Sequence, residues 1–258
     1  MSRAVILRNA QIAADIYELS VQFEGTLPQV QPGQFAHVKL PGPTPMLLRR
    51  PLGINHVLAE LDVLTLVYQL RGQGTRALSA LEKGHFLDIL APLGRGFTLP
   101  DGAKTAAVVG GGIGAAPLRA VLEAWPQVPM DSFLGFRCGA ASYQLSSFAR
   151  ASRELRLCTD DGSLGRQGYV TDLLAEAMEH NAYDVVLACG PTPMLKALQR
   201  LMRGRGIPVQ VSLEERMGCG IGGCLVCNCK VKYGEDWRYR RVCADGPVFD
   251  LMEVELDG

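Results

Sequence analysis

Four cysteines fall within eleven positions of the stretch RMGCGIGGCLVCNCKV, at Cys219, Cys224, Cys227 and Cys229, and a fifth, Cys243, follows in RVCADGP. Four residues separate Cys219 from Cys224, two separate Cys224 from Cys227, and fifteen separate Cys227 from Cys243. Four thiolates at the spacing C-x4-C-x2-C…C suit a [2Fe-2S] cluster. Glycines at 218, 220, 222 and 223 fit that reading, because a loop wrapped round a cluster needs unusual backbone angles and N–H groups close to sulfur. Four thiolates also suit structural zinc, but zinc usually sits between two paired knuckles, and here only Cys224 and Cys227 form one. Cys229 is left over as a bystander. Cys243 needs the polar KYGEDWRYR stretch to turn back and return it to the others.

Four further stretches could bind anions. VVGGGIGAAPL sets Gly110, Gly111, Gly112 and Gly114 between an apolar strand and a helix, a turn that offers backbone N–H groups to a phosphate, or that is merely tight. CGPTPML, with Cys189, Gly190 and Pro191, ends a second apolar strand; in a parallel sheet it would face the same crevice. On its own Cys189 reads as a small buried apolar residue. RRPLG, with Arg50, and RGQGTRAL, with Gly74 and Thr75, could hold phosphate through a fixed guanidinium and a helix start, although each alone is a surface loop or a helix cap. Together the motifs imply two nucleotide cofactors. Asp160 and Asp161 suit a turn better than acid–base work, and His37, His56, His85 and His180 form no Ser-His-Asp set. If redox cofactors carry the reaction, no such set is needed.

The elements that must position these motifs change character along the chain. Residues 1–98 hold short strands, VILRNAQIA, IYELSVQFE, GQFAHVKL, LDVLTLVYQLR and HFLDILAPLG, broken by Gly and Pro and by one helix at TRALSALEKG. That pattern predicts a small antiparallel barrel. Over 99–212 strands alternate with helices, which predicts a parallel sheet covered by helices. Residues 213–258 form a cysteine-bearing C-terminal segment.

Lys plus Arg and Asp plus Glu number 26 each, so no net charge draws the chain to nucleic acid or an anionic membrane. The N-terminus lacks the apolar core of a signal peptide, and no apolar run approaches the ~20 residues of a membrane span. The expected compartment is the cytoplasm, where clustered cysteines bind metal rather than form disulfides.

The order RRPLG, VYQ, GT, GGGIGAAPL, CGPTPML, SLEERMGCGIGGCLVCNCKV and RVCADGPVFD resembles the electron-transfer subunits of the NAD-dependent dihydroorotate dehydrogenases over nearly the whole chain. The resemblance implies a ferredoxin reductase-like architecture: a six-stranded FAD-binding barrel, an α/β domain for NAD, and a C-terminal [2Fe-2S] segment. It assigns Arg50, Pro51, Leu52, Gly53, Val67, Tyr68, Gln69, Gly74 and Thr75 to FAD, and Cys219, Cys224, Cys227 and Cys243 to the cluster. Gly53 stands where the family commonly has Ser or Thr. The Gly110–Gly114 turn and the Cys189–Pro191 turn would hold NAD. A nicotinamide moves two electrons, a cluster one, and a flavin either, so FAD would convert between them. The implied partner is an FMN-containing catalytic subunit, two of each, in pyrimidine biosynthesis. Arg137 stands where many NAD sites carry an acidic residue, and would suit the 2′-phosphate of NADP. Related flavin and iron–sulfur subunits, of ferredoxin-NADP or sulfide dehydrogenase type, share the motif order; a zinc-bearing nucleotide-sensing module is the alternative of another class.

Overall fold

The computed structural model describes residues 2–41 and 47–256. In its first part β1 (Ser2–Ala13), β2 (Ile16–Phe23), β3 (Phe35–Lys39), β4 (Arg50–Leu58), β5 (Val63–Gln69) and β6 (Phe86–Leu93) close an antiparallel barrel in the order β1-β2-β5-β4-β3-β6. The helix α1 (Gln73–Ser79) lies between β5 and β6. Leu19, Val21, Ile54, Leu64, Leu66 and Ile89 fill the interior, and the period-2 alternation of the strands puts them there. The sequence pattern shows five of these strands. It misses β4, because Arg-Pro reads as loop; Pro51 is the second residue of that strand and pairs with His37 on β3. A proline so near a strand's start removes one ladder donor and leaves the rest intact.

Next come β7 (Ala106–Gly111), α2 (Leu118–Ala124), β8 (Met130–Phe136), α3 (Leu145–Ala151), β9 (Glu154–Thr159), β10 (Arg166–Gln167), α4 (Val170–Ala177), β11 (Val185–Cys189), α5 (Thr192–Met202) and β12 (Val209–Ser212). They build a parallel sheet whose central strands β7 and β11 are buried at every residue, as expected where helices cover both faces. β8 and β9 lie to one side of β7, and β11 and β12 to the other. The switch point therefore falls between β7 and β11, where Gly110 pairs with Cys189.

The last segment forms the hairpin of β13 (Asn228–Tyr233) and β14 (Asp236–Arg241), then β15 (Val248–Asp250). β15 joins the large sheet antiparallel to β12. Leu251, Val254, Val231, Val242, Cys227 and Cys243 belong to the same core as Val211 and Leu195, so the cysteine segment is built onto the α/β layer. Barrel and sheet are also stitched together: Asn55, fully buried, donates to the Ala116 carbonyl at 2.7 Å and to Gln144 at 3.0 Å, and Gln144 donates to Glu18 at 2.9 Å.

Asp131 anchors the opposite end of the sheet. It is 1% exposed and accepts hydrogen bonds from Arg153 Nε at 2.8 Å and the Tyr183 hydroxyl at 2.6 Å. Burial alone would raise its pKa, but the bonds from Arg153 and Tyr183 outweigh it and hold the carboxyl below the usual range. Asp131→Ala is expected to cost about 2 kcal/mol in denaturant unfolding at neutral pH, less than a fully buried pair would because Arg153 is partly solvated. A depressed pKa stabilises above the unfolded value and loses that contribution as pH falls, so the deficit should shrink below about pH 4.

Candidate functional site

The loop from Met217 to Cys229 meets Cys243, and backbone N–H groups gather the four thiols Cys219, Cys224, Cys227 and Cys243 in one place. Gly223 N–H donates to Cys219 Sγ at 3.2 Å, Gly222 N–H to Cys243 Sγ at 3.1 Å, Cys219 N–H to Cys224 Sγ at 3.4 Å and Cys243 N–H to Cys227 Sγ at 3.4 Å. The sulfurs associate as two pairs, Cys219 with Cys224 and Cys227 with Cys243. N–H groups, that of Ile221 foremost, pull the Cys219 thiol down to about 6, while burial pushes Cys243 up to about 12. Two pairs of soft thiolates, each sulfur met by an N–H, fit a cluster of two irons. Cys229 takes part in none of these N–H···S contacts, and burial pushes its thiol up to about 12.

Two features brace the loop that sequence patterns do not reveal. Arg241 grips Asp245 through Nε at 2.9 Å and Nη2 at 3.0 Å and gives Nη1 to the Gly222 carbonyl at 3.1 Å. Gly220, at φ 74°, lies directly on the ring of His37, where a Cβ would collide with Nδ1.

A cavity of about 430 Å³ opens between barrel and sheet, lined by Pro51, Leu52, Gly53, Val67, Tyr68, Gln69 and Thr75. Arg50 and Gly74 sit beside it, the guanidinium filling the space where a Cβ of Gly74 would stand. The neighbouring Arg49 is committed elsewhere, to Asp88 at 2.6 Å and its carbonyl at 2.8 Å. Thr75 spends its hydroxyl on its own helix start, accepting from Arg71 N–H at 2.9 Å. The Tyr68 hydroxyl donates to Asn9 at 2.9 Å, and Asn9 donates to the last turn of α1. Gly53 faces Pro117 across the domain boundary, and a Cβ there would lie 3.3 Å from the proline ring, so the missing side chain makes room for the sheet domain. The apolar wall, an edge for a flat ring and a guanidinium beside a helix start fit a flavin nucleotide. The cavity's far wall, Ser212, Leu213, Glu214 and Met217, comes from the strand end that leads into the cysteine loop. They open the SLEERMGCG motif, but only the fold shows that they wall this cavity.

A second crevice, of about 770 Å³, is lined by Gly111, Gly112, Gly114, Gly190, Pro191 and Arg137. Its glycines divide the labour. A Cβ on Gly114 would lie 2.6 Å from the Cys189 carbonyl, and one on Gly111 2.6 Å from Met194 Sδ, so these two let the turns touch. Gly112, at φ 55°, has open space before it and faces the crevice. Gly110 lies beneath, against Leu134 and Ala115. Cys189 lines the flavin-shaped cavity instead of this crevice. The buried Tyr143 pins the turn by donating to the carbonyls of Gly112 and Ile113 at 3.1 and 3.2 Å. A glycine turn at a switch point fits a dinucleotide. Asp160 and Asp161 lie in neither cavity; Asp161 binds Ser163 in a turn.

Comparison with known proteins places this geometry. The family model for the iron-sulfur cluster binding domain of dihydroorotate dehydrogenase B matches residues 214–255. The chain is 40% identical to the dihydroorotate dehydrogenase B (NAD(+)) electron transfer subunit of Shouchella clausii (strain KSM-K16), covering 98% of both chains. It is 42% identical to that of Bacillus caldolyticus, again over 98% of both. A chain from the solved NADH-dependent reduced ferredoxin-NADP oxidoreductase superposes with a TM-score of 0.88 at 28% identity, over 98% of this chain and 90% of that one.

Proposed function

This chain belongs to the family of dihydroorotate dehydrogenase B (NAD(+)) electron transfer subunits, and from that premise we propose that it passes electrons from an FMN-bearing catalytic partner to NAD⁺, in an assembly of two subunits of each kind in the cytoplasm. Its cofactors are FAD, a [2Fe-2S] cluster and NAD. When bound, these groups supply single-electron exchange at the cluster, hydride exchange at the nicotinamide, and conversion between the two at the flavin.

The observation that carries the residue assignments is the set of four N–H···S contacts, one to each of Cys219, Cys224, Cys227 and Cys243. These residues would hold the irons, and Arg241 with Asp245 would keep the loop closed. Arg50 would clamp the FAD phosphates, with the Leu52–Gly53 backbone and the Val67–Gln69 strand edge against the flavin. The Gly112 turn and Gly190–Pro191 would seat the dinucleotide across from it. The two cavities share Gln69, Arg71, Ile113, Leu213, Glu214 and Glu215, so a nicotinamide in one can reach a flavin in the other.

The partner's docking face would be the outer side of the cluster loop. Ile221, Leu225 and Val226 are 66%, 60% and 57% exposed there, side by side with the ligands. Leu225 holds φ 58°, a left-handed conformation that glycine or asparagine adopts far more readily, so an apolar side chain stands at the loop's apex against a backbone cost. Among the described residues no helix is long and apolar enough to cross a membrane.

Co-expression with an FMN-containing dihydroorotate dehydrogenase tests the reading. The pair should form orotate with NAD⁺, and the chain should carry visible flavin and iron–sulfur absorption. Turnover confined to NADP⁺ or ferredoxin, or a colourless chain holding one zinc, would refute it. Gly114→Ala should part the two turns at the Cys189 carbonyl, raising KM for NAD⁺ by roughly ten-fold or more while flavin and iron content stay unchanged.

A further inference from the structure

His37 is fully buried, and neither its Nδ1 nor its Nε2 finds a hydrogen-bond partner among the described residues. Buried polar groups are nearly always satisfied, so a ring left open on both nitrogens calls for a cause. Strand alternation supplies its direction. Ala36 and Val38 of β3 point into the barrel, while Phe35 and His37 point out of it, Phe35 into the core that includes Met217, Cys227 and Cys243. The Phe35 and His37 rings meet edge to face at 6.5 Å.

Beside His37 runs β4, with Pro51 as its direct partner, so the strand carrying Arg50 to Gly53 neighbours the residue in the sheet. In front, Gly220 lies so close to Nδ1 that no side chain fits between them. Neutral or charged, the ring carries at least one N–H to give. His37 thus stands next to the strand that would seat the flavin and touches the loop that would hold the irons.

We propose that His37 is a positioning residue for the cluster: from the barrel side it presents a ring N–H to the Cys219–Gly220 turn, which fixes that turn over the flavin strand and raises the cluster's reduction potential. The electrostatics set the sign, because the positive end of an N–H dipole beside a sulfur-rich group favours the state with the extra electron. The inference rests on the reading of Cys219, Cys224, Cys227 and Cys243 as cluster ligands.

Redox titration of the holoenzyme, followed by electron paramagnetic resonance of the cluster, tests it in His37→Leu and His37→Gln. The leucine variant should lower the reduced-to-oxidised ratio at a fixed potential by roughly ten-fold, which is about 59 mV for one electron. Glutamine keeps an N–H donor and should restore most of that ratio, and the FAD potential should stay unmoved in both. In unmodified holoenzyme labelled with ¹⁵N-histidine, pulsed resonance of the reduced cluster should show a histidine nitrogen coupling that His37→Gln removes. If leucine costs the chain its iron, the glutamine variant and the labelled wild type still decide. Unchanged potentials at full iron content, or no histidine coupling, would overturn the role of His37 alone; wild-type holoenzyme without iron in this chain would overturn the cluster reading with it.

Discussion

Alanine at any one of Cys219, Cys224, Cys227 or Cys243 is expected to strip the chain of iron and abolish NAD⁺-dependent orotate formation by the assembled enzyme, whereas alanine at Cys229 leaves both intact. The contrast follows from the backbone. Each of the four sulfurs proposed as ligands receives a backbone N–H, and Cys229 takes part in none of those contacts. Losing one thiolate leaves an iron short of a ligand and an N–H aimed at nothing. Cys227 and Cys243 are both 2% exposed, so their truncation also opens space in the core they share with Val211 and Leu251. Iron analysis and low-temperature paramagnetic resonance after reduction separate the five variants. Iron retained in any of the four, or lost with Cys229, would show that the ligand set is wrong.

Arg50→Ala is expected to weaken FAD binding by roughly 10- to 150-fold, the effect of about 1.5–3 kcal/mol for a charge-assisted hydrogen bond to phosphate. Arg50 rests against Gly74 at the start of α1 and donates to the Leu48 carbonyl, which holds its fork beside the cavity mouth. Arg50→Lys should recover only part of the loss, since a point charge cannot reproduce a two-pronged contact. Arg49→Ala supplies the control. Its guanidinium is tied to Asp88 on β6, so its loss should lower thermal stability and leave flavin affinity nearly unchanged. Fluorescence titration of the apo-chain with FAD, beside thermal unfolding, distinguishes the two arginines, and equal effects at both would contradict the assignment.

Hydrophobic periodicity shows where the barrel ends and the parallel sheet begins, because period 2 and period 3.6 are local properties of a chain. It hides β4, whose RPLG start carries turn residues; the strand exists because β3 pairs with Arg50–Gly53 and β5 with Ile54–Leu58. It also hides β15, three residues long, which forms only where the edge of β12 is free to receive it. Among the glycines of the strand-to-helix turn, sequence spacing treats all alike. The structure separates Gly112, which faces open space, from Gly111 and Gly114, which let two turns touch.

From the residues alone came the cluster type, the cofactor classes, the two-domain order and the family, because each rests on spacing within one short segment or on the succession of segments. What tertiary structure decided concerns contacts between segments far apart in the chain. Ser212 to Met217 closes the flavin-shaped cavity, Cys189 faces that cavity rather than the dinucleotide crevice, and Arg49 is consumed by Asp88 while Arg50 stays available. His37, one of four scattered histidines in the sequence, becomes the floor of the cysteine loop only when β3 is laid beneath Gly220. No local pattern encodes such pairings, since they follow from which faces the closed barrel and the sheet turn toward each other.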